Sequence, residues 1–293
     1  MSINIETTQL QLKTFEAEVF RAYQKDESTL KALCRVKTIA GTEHQFPKYG
    51  TLMAVERVVG TPLVSENQTT AKVLVNTTRY SVSTYSDIFL QNEVNFDDRA
   101  EAAYAVAAAA NRKMDAVIIA ALEAQRTGVG LGYSYSVATG IGGTATNLNV
   151  AKIAKSAEIY DKGNIKGSDR NLLVHSNNFH AFTQDIKVAS SDYNSQKVLT
   201  TGSLGSYYGF NITKLGDIEN ENGLALASTI RHCYAIQKQA LGFVVNMDMK
   251  VETNYVPTHG ADLITCFFSC GSKVIEEKGI INVQCTDAAN ASV

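Results

Sequence analysis

The chain has 293 residues, of which 45% are hydrophobic, and it carries a formal net charge of −2 at pH 7. An apolar fraction of this size can fill a core, so the composition excludes a chain that is disordered throughout. The near-neutral charge lacks the electrostatic footprint of a typical nucleic-acid binder. No apolar run reaches the roughly 18 residues of a transmembrane helix, and the first residues lack the pattern of a signal peptide. The five cysteines are scattered and odd in number, which predicts free thiols.

The first third of the chain predicts an arm followed by a long β-rich segment. Residues 15–23 place apolar side chains at helical spacing. Residues 36–85 are rich in Thr, Val, Ser and Tyr, which favours strands. We predict one extended strand over 71–85, with 51–64 as its hairpin partner. This hairpin has no clean apolar face and would be marginal in water on its own. It therefore predicts a protruding arm that completes its packing on a neighbour.

Residues 97–127 predict one long helix, because the stretch has no Gly or Pro and is built mostly from Ala. At about 1.5 Å per residue it would extend roughly 45 Å, well beyond the usual globular helix. Asp98 and Glu101 have the spacing of a capping box at its start. An apolar stripe along the helix is expected to pack against a sheet. The charged residues outside that stripe are expected to face a surface, and they are Arg112, Lys113, Asp115 and Glu123.

The second half of the chain alternates strand and helix patterns after a Gly-rich loop at 128–143. Helices are predicted at 149–162 and at 178–185, the latter capped by Asn177. Strands are predicted at 171–175, 209–218, 232–236, 243–255, 261–268 and 273–283. This order of elements indicates a mixed α+β fold with the long helix in the middle.

The sequence predicts no catalytic, cofactor-binding or metal-binding site. The glycines at 128–143 follow a helix and lack the Gly-Lys-Ser/Thr of a phosphate-binding loop. His175 and His180 lie near Ser176 and Asp185, but the nucleophile elbow of a hydrolase is missing. Cys266 and Cys270 in one strand would lie about 13 Å apart, too far for a shared metal or a disulfide. We expect these groups to be structural.

Several short motifs, taken in order along the chain, resemble the major capsid proteins of tailed bacteriophages with the Hong Kong 97-like fold. The likeness is strongest to those of short-tailed, podovirus-type phages, and it covers roughly residues 15–270. Each motif is weakly specific, and their order and spacing carry the resemblance. The motifs are FEAEV at 15–19, RVKTI at 35–39, QFPKYG at 45–50, DDR at 97–99, MDAV at 114–117, DRNLLV at 169–174, NF at 178–179, GSYYGF at 205–210 and HG at 259–260.

The resemblance implies an N-terminal arm, an extended β-hairpin loop, a long spine helix, a peripheral domain and an axial domain. The corresponding ranges are 1–40 for the arm, 41–88 for the extended loop, 89–186 for the peripheral domain with the spine helix at 97–127, 187–235 for the axial domain, and 236–293 for further peripheral strands and the tail. Assembly contacts in the extended loop are expected at Lys48, Tyr49, Arg57, Lys72, Arg79 and Tyr80. The residues that the resemblance assigns to the spine helix are Asp98, Arg99, Arg112, Met114 and Asp115.

The resemblance also implies a function. The chain would assemble as hexamers and pentamers into an icosahedral shell around a phage genome of double-stranded DNA. Its partners would be other copies of itself, a scaffolding protein, a portal protein, a decoration or cement protein, and the packaged DNA without sequence specificity. It would reside in the virion, and in the host cytoplasm during assembly. The alternatives are an encapsulin-like compartment with the same fold and, less favoured, a mixed α/β enzyme.

Overall fold

The computed structural model describes residues 28–60, 62, 65–93, 97–128, 132–185, 205–217 and 223–287. The predicted helix at 15–23 and residues 187–204 of the predicted axial domain lie outside these ranges. Within the described residues, no helix combines the length and apolarity needed to cross a membrane.

The long helix is confirmed as α2, Asp98–Thr127. Its cap differs from the prediction by one residue. The carboxylate of Asp97 accepts from the backbone N–H groups of Arg99 and Ala100, so Asp97 is the N-cap and Asp98 is the first helical residue. Arg126 occupies the last turn, where the helix dipole favours a cation. The described residues also form three shorter α-helices, which are α1 (Ile88–Glu93), α3 (Val150–Lys162) and α4 (Ser176–Thr183).

One face of α2 packs on a four-stranded sheet with the strand order β1-β11-β12-β4. Its strands are β1 (Arg35–Thr38), β4 (Thr78–Asp87), β11 (Leu241–Val256) and β12 (Ala261–Val274). The pair β11–β12 is a long antiparallel hairpin, and β1 runs parallel to β11. Alternate residues of β12 face the helix and are fully buried, among them Ile264, Cys266, Phe268 and Cys270. This period-two pattern explains how two cysteines four residues apart become core side chains.

The predicted hairpin is partly wrong, because the long strand divides into two that belong to different sheets. Strand β3 (Thr70–Asn76) pairs with β2 (Glu43–Tyr49), while β4 pairs with β12. Residues 51–64 were predicted as the partner strand, but those that are described have no strand pairing. The protruding hairpin is therefore β2–β3, with the described residues between 50 and 69 as its tip.

A second, seven-stranded sheet has the strand order β5-β13-β10-β6-β8-β7, with β9 paired to β10. Its strands are β5 (Ser136–Val137), β6 (Arg170–His175), β7 (Ser206–Tyr207), β8 (Phe210–Leu215), β9 (Leu226–Ala227), β10 (Ile230–Gln237) and β13 (Ile280–Thr286). The helix predicted at 178–185 begins two residues earlier, because the imidazole of His175, and not Asn177, caps it. The strand predicted at 273–283 is also divided, since residues 273 and 274 end β12 and β13 starts at residue 280.

The domain ranges stay a prediction from the resemblance, and strand pairing in the second sheet crosses two of their boundaries. The boundary at residue 187 separates β6 from β8, although these strands pair directly. The boundary at residue 236 separates β10 from β13, which form seven antiparallel residue pairs. Strand β13 returns to this sheet after the β11–β12 hairpin, a long-range pairing that local sequence patterns do not encode. A division by sheets therefore groups β13 with β6, β8 and β10.

Both sheets and α2 share one continuous hydrophobic core. Ala110 on α2 is fully buried in it, whereas Ala124 on the same helix is exposed. Ala110→Leu is expected to lower the free energy of unfolding by about 1–3 kcal/mol, because added methyl groups strain a close-packed core. Ala124→Leu is the matched control and should change stability by less than about 0.5 kcal/mol. Urea unfolding of the two variants measures the difference, and equal stabilities would contradict this packing.

Candidate assembly interface

The most prominent surface feature is the β2–β3 hairpin, which is joined to the body at one end. Seven residue pairs run from Glu43–Asn76 at its base to Tyr49–Thr70. Beyond them, the N–H of Gly50 donates to the carbonyl of Thr69 at 2.8 Å. A two-stranded ribbon of this kind is marginally stable by itself, so its direction has to be fixed by contacts at the base.

A small separate cluster of apolar residues forms the seat of the hairpin. Phe46 and Val75 are buried against Val244 of β11, with Ile39, Val73 and Ile275 packed around them. The guanidinium of Arg35 lies over the Phe46 ring, 5.4 Å from its centroid. Because the ring is 1% exposed, this contact removes most of a large apolar side chain from water, which stabilises the seat by roughly 2–3 kcal/mol.

Two glycines in the four-stranded sheet leave room for the base of the hairpin to pack directly on the sheet. A Cβ atom at Gly242 would lie 2.8 Å from Cε2 of Phe46. A Cβ atom at Gly271 would overlap the backbone carbonyl oxygen of Asn76, the last residue of β3. Glycine inside a strand frequently marks such an approach of another backbone. Both positions therefore have a packing role.

Gly271→Ala is expected to displace the base of the hairpin, because its Cβ would collide with backbone and not with a flexible side chain. The expected loss is about 2 kcal/mol or more of unfolding free energy, with faster proteolytic cleavage in residues 50–69. Gly216→Ala is the control, since a Cβ there has open space. Thermal unfolding and limited proteolysis measure the effect, and a Gly271→Ala variant that matches its control would contradict the contact.

One ion pair links the hairpin to the turn after β12. Lys48 Nζ lies 2.5 Å from Glu276 Oε2, and both side chains are partly exposed. Glu276 also caps the short turn at Glu277–Gly279, because its carboxylate accepts from the N–H of Lys278. A surface ion pair of this kind adds little to the free energy of unfolding. We therefore infer that it orients the hairpin, while the buried apolar contacts stabilise it.

The tip of the hairpin exposes a run of large apolar side chains. Met53 is 82% exposed and Val59 is 97% exposed. Leu52, Val55 and Val58 are also exposed. Single exposed apolar side chains are ordinary, but five within eight residues form a patch that is characteristic of interaction sites.

The structure places the predicted extended-loop residues in two groups. Lys48, Tyr49 and Lys72 lie on the hairpin strands, where Tyr49 and Lys72 are exposed, and Arg57 is exposed on the tip. Arg79 and Tyr80 lie instead on β4 in the four-stranded sheet. The Tyr80 ring stacks on Phe268 with centroids 5.4 Å apart, beneath the ammonium of Lys113. Tyr80 therefore packs the body of the subunit.

The predicted spine residues also differ in their environments. Asp98 accepts from the hydroxyl of Ser86, and Arg99 Nη2 lies 2.5 Å from Asp262 Oδ2, so the first turn of α2 is tied to β4 and β12. Arg112 is half-buried, and Met114 is a core side chain. The prediction that Asp115 faces a surface is wrong, because it is fully buried and accepts hydrogen bonds from Ser28 and from the N–H groups of Thr29 and Leu30.

Glu123 is the second departure from the predicted charged face. It is half-buried, accepts from the hydroxyl of Tyr234, and pairs with Arg126 at 2.7 Å. Burial and the nearby Glu123 carboxylate raise the pKa of Tyr234. These contacts connect the end of α2 to the seven-stranded sheet.

The groups that could suggest enzymatic chemistry have structural surroundings. His175 Nε2 lies 3.1 Å from Asp217, and its Nδ1 accepts from the N–H of Asn177. All five cysteines are buried and free, and burial raises the pKa of Cys34 to about 12 and that of Cys270 to about 12. In the parts of the chain that are described, no three His, Cys, Asp or Glu side chains are grouped as metal ligands would be.

Sequence reasoning missed Phe46, Gly242, Gly271 and Glu276, which hold the base of the hairpin. The two glycines were detectable in principle, because each interrupts an otherwise apolar strand. Phe46 entered the sequence analysis only as part of the motif at 45–50. Neither it nor Glu276 carried a signal of this packing role, since their partners lie about 200 residues away.

The comparisons with known proteins give a family from the sequence and a fold from the solved structures. The model of the phage capsid protein family matches residues 7–287. The chain is similar in structure to the capsid of the cyanophage P-SCSP1u, with a TM-score of 0.74, 21% identity, and coverage of 96% of this chain and 94% of that one. It is also similar to the head of Helicobacter pylori bacteriophage KHP40, with a TM-score of 0.77, 12% identity, and coverage of 98% and 99%. The capsid of Ralstonia phage GP4 matches over the full length of both chains, with a TM-score of 0.72 and 10% identity. No curated protein sequence matches the chain.

Proposed function

Because this chain belongs to the phage capsid protein family, we propose that its copies assemble as hexamers and pentamers into an icosahedral shell around a phage genome of double-stranded DNA. Its role as a structural shell protein and not an enzyme, and its α+β capsid fold of the Hong Kong 97 type, agree with the sequence predictions. The encapsulin-like alternative is not favoured, since the family match and the structural neighbours are phage capsids.

The exposed apolar tip of the hairpin is the observation that carries this proposal. In a single subunit, Met53 and Val59 are left almost entirely in water. The hairpin base, by contrast, is fixed by the buried Phe46 seat, so the tip is presented at a defined distance from the body. A surface that gains its packing only from the next copy, repeated around a ring, generates closed symmetric assemblies.

The proposal also includes partners other than copies of the chain itself. A scaffolding protein would assist assembly in the host cytoplasm, a portal protein would occupy one vertex, and a decoration or cement protein would bind the outer surface. The extended loop, with Lys48, Tyr49, Arg57 and Lys72, would contact neighbouring copies. Arg79 and Tyr80 would act indirectly, by fixing β4 beneath the hairpin. The assignment to short-tailed phages stays a prediction from the sequence motifs.

Electron microscopy of the purified full-length protein tests the proposal. We expect closed shells, and three-dimensional reconstruction should resolve five copies around each vertex and six copies around the remaining capsomer axes. Co-expression with a scaffolding protein is the second condition, because shell proteins of this kind can need one to close. A discrete small oligomer under both conditions would contradict the proposal.

A further inference from the structure

A cleft with a volume of about 610 Å³ lies at the point where the described chain begins. Its lining includes Ser28, Lys31, Arg35, Lys238 and Gln239, and none of the described residues that line it is acidic. The three cations come from three separate elements: the short turn at Lys31–Leu33, strand β1, and the short turn at Lys238–Ala240. This local basic cluster contrasts with the net charge of −2 of the whole chain.

The backbone holds the three cations together. Buried Leu30 and Leu33 anchor the turn that carries Lys31. Arg35 is fixed by the parallel pairing of β1 with β11, where it lies opposite Gly242. The N–H of Lys238 donates to the carbonyl of Asp169 at 3.2 Å. The three cations therefore line one cleft, with Arg35 exposed and Lys31 and Lys238 half-buried.

Among the described residues, none of the three cations forms an ion pair with a carboxylate. Asp115 lies behind Ser28, but it is fully buried and its oxygens already accept three hydrogen bonds. Arg35 does contact the Phe46 ring, and this leaves the edge of its guanidinium able to donate. Within the described part of the chain, the cleft therefore has positive charge and hydrogen-bond donors without a carboxylate partner.

We propose that this cleft binds the phosphodiester backbone of the packaged double-stranded DNA, an inference that rests on the proposed shell function. A guanidinium and two ammonium groups are the usual protein partners of phosphate oxygens. The amide of Gln239 adds an uncharged donor of the kind that contacts phosphates without reading base sequence. Inside a filled shell, phosphodiester groups would be the most abundant anions. The site would give each subunit a local, sequence-independent contact that its overall charge does not supply.

Fluorescence anisotropy with a short labelled DNA duplex tests this inference on the full-length protein. Lys31→Gln/Lys238→Gln is the test variant, and Arg35 is left intact because it also supports the hairpin. Lys162→Gln/Lys166→Gln removes the same charge from exposed positions elsewhere and is the control. We expect the test variant to bind at least about tenfold more weakly, and its slope of log K against log salt to fall by about 2, because each neutralised phosphate contributes about 0.9.

Three results would overturn the proposal. The first is undetectable duplex binding by the natural protein at low salt. The second is an equal loss in the test and control variants, which would indicate a diffuse electrostatic effect. The third is displacement of the duplex by polyglutamate as effectively as by unlabelled DNA, which would assign the cleft to a protein carboxylate, such as Asp26 or Glu27 just before it in the sequence. Electron microscopy of the test variant and of the natural protein separates the two proposals. Shells without duplex binding would overturn only the binding site, whereas the absence of shells from the natural protein would overturn the shell function.

Discussion

Replacing residues 51–68 with an Asn-Gly turn is expected to give a folded subunit that no longer forms shells. The paired strands β2 and β3 stop at Tyr49 and Thr70, and the Gly50–Thr69 hydrogen bond closes the ladder beyond them. Asn-Gly favours the two-residue turn that suits such a ladder, so the shortened hairpin can close without strain. The Phe46 seat lies at the other end and is untouched. The change therefore removes the apolar tip and leaves the body intact.

Two further variants separate the chemistry of the tip from its length. Leu52→Ser/Met53→Ser/Val55→Ser/Val59→Ser keeps the loop length and removes apolar contact, and it should also fail to assemble. Glu66→Ala/Asn67→Ala alters the polar part of the same tip and is expected to assemble normally. Circular dichroism and thermal unfolding report the fold of each variant, and analytical ultracentrifugation with electron microscopy reports shells. Normal shells from the Asn-Gly variant would show that the tip is not an assembly surface.

The hairpin also shows how far the sequence could predict this structure. Its existence and its marginal stability follow from composition, since residues 36–85 are rich in strand formers and lack an apolar face. Its register does not follow from composition. The partition of 70–87 into β3 and β4 is set by Phe46 entering the seat beside Gly242 and by β4 pairing with β12. These are contacts between residues far apart in the chain, and local patterns carry little information about them.

Helix α2 and the seven-stranded sheet show the same contrast between features set by local sequence and features set by long-range contacts. Helix α2 was predictable almost to the residue, because helix propensity, capping carboxylates and a glycine stop are all local. The membership of β13 in the seven-stranded sheet was not, since β11 and β12 intervene between it and β10. The basic cleft was equally hidden, because Lys31 and Lys238 are about 200 residues apart and are brought together by long-range contacts such as the pairing of β1 with β11.

Replacing Asp115 is expected to be among the most destabilising single changes. The helical periodicity predicted that this side chain faces a surface, whereas it is fully buried. Its carboxylate accepts from the Ser28 hydroxyl at 2.6 Å and from the N–H groups of Thr29 and Leu30 at 3.3 and 3.2 Å. Asp115 thus attaches the start of the described chain to the middle of α2. Asp115→Ala would leave the buried N–H of Leu30, and the part-buried hydroxyl of Ser28 and N–H of Thr29, without this acceptor. We expect a loss of about 3 kcal/mol or more in the free energy of unfolding.

A double-mutant cycle tests whether this loss comes from the hydrogen bonds or from the cavity that alanine leaves. Asp115→Asn nearly preserves the volume and removes the charge, and it should cost about 1–3 kcal/mol. Ser28→Ala removes one donor, so the pair Ser28→Ala/Asp115→Asn should be less destabilised than the sum of the single variants by about 0.5 kcal/mol or more. Glu158→Gln on the exposed side of α3 is the control and should stay within about 0.5 kcal/mol of the natural protein. Additive losses in urea unfolding would mean that Ser28 and Asp115 act independently, and the attachment would then have to be assigned to the backbone donors of Thr29 and Leu30.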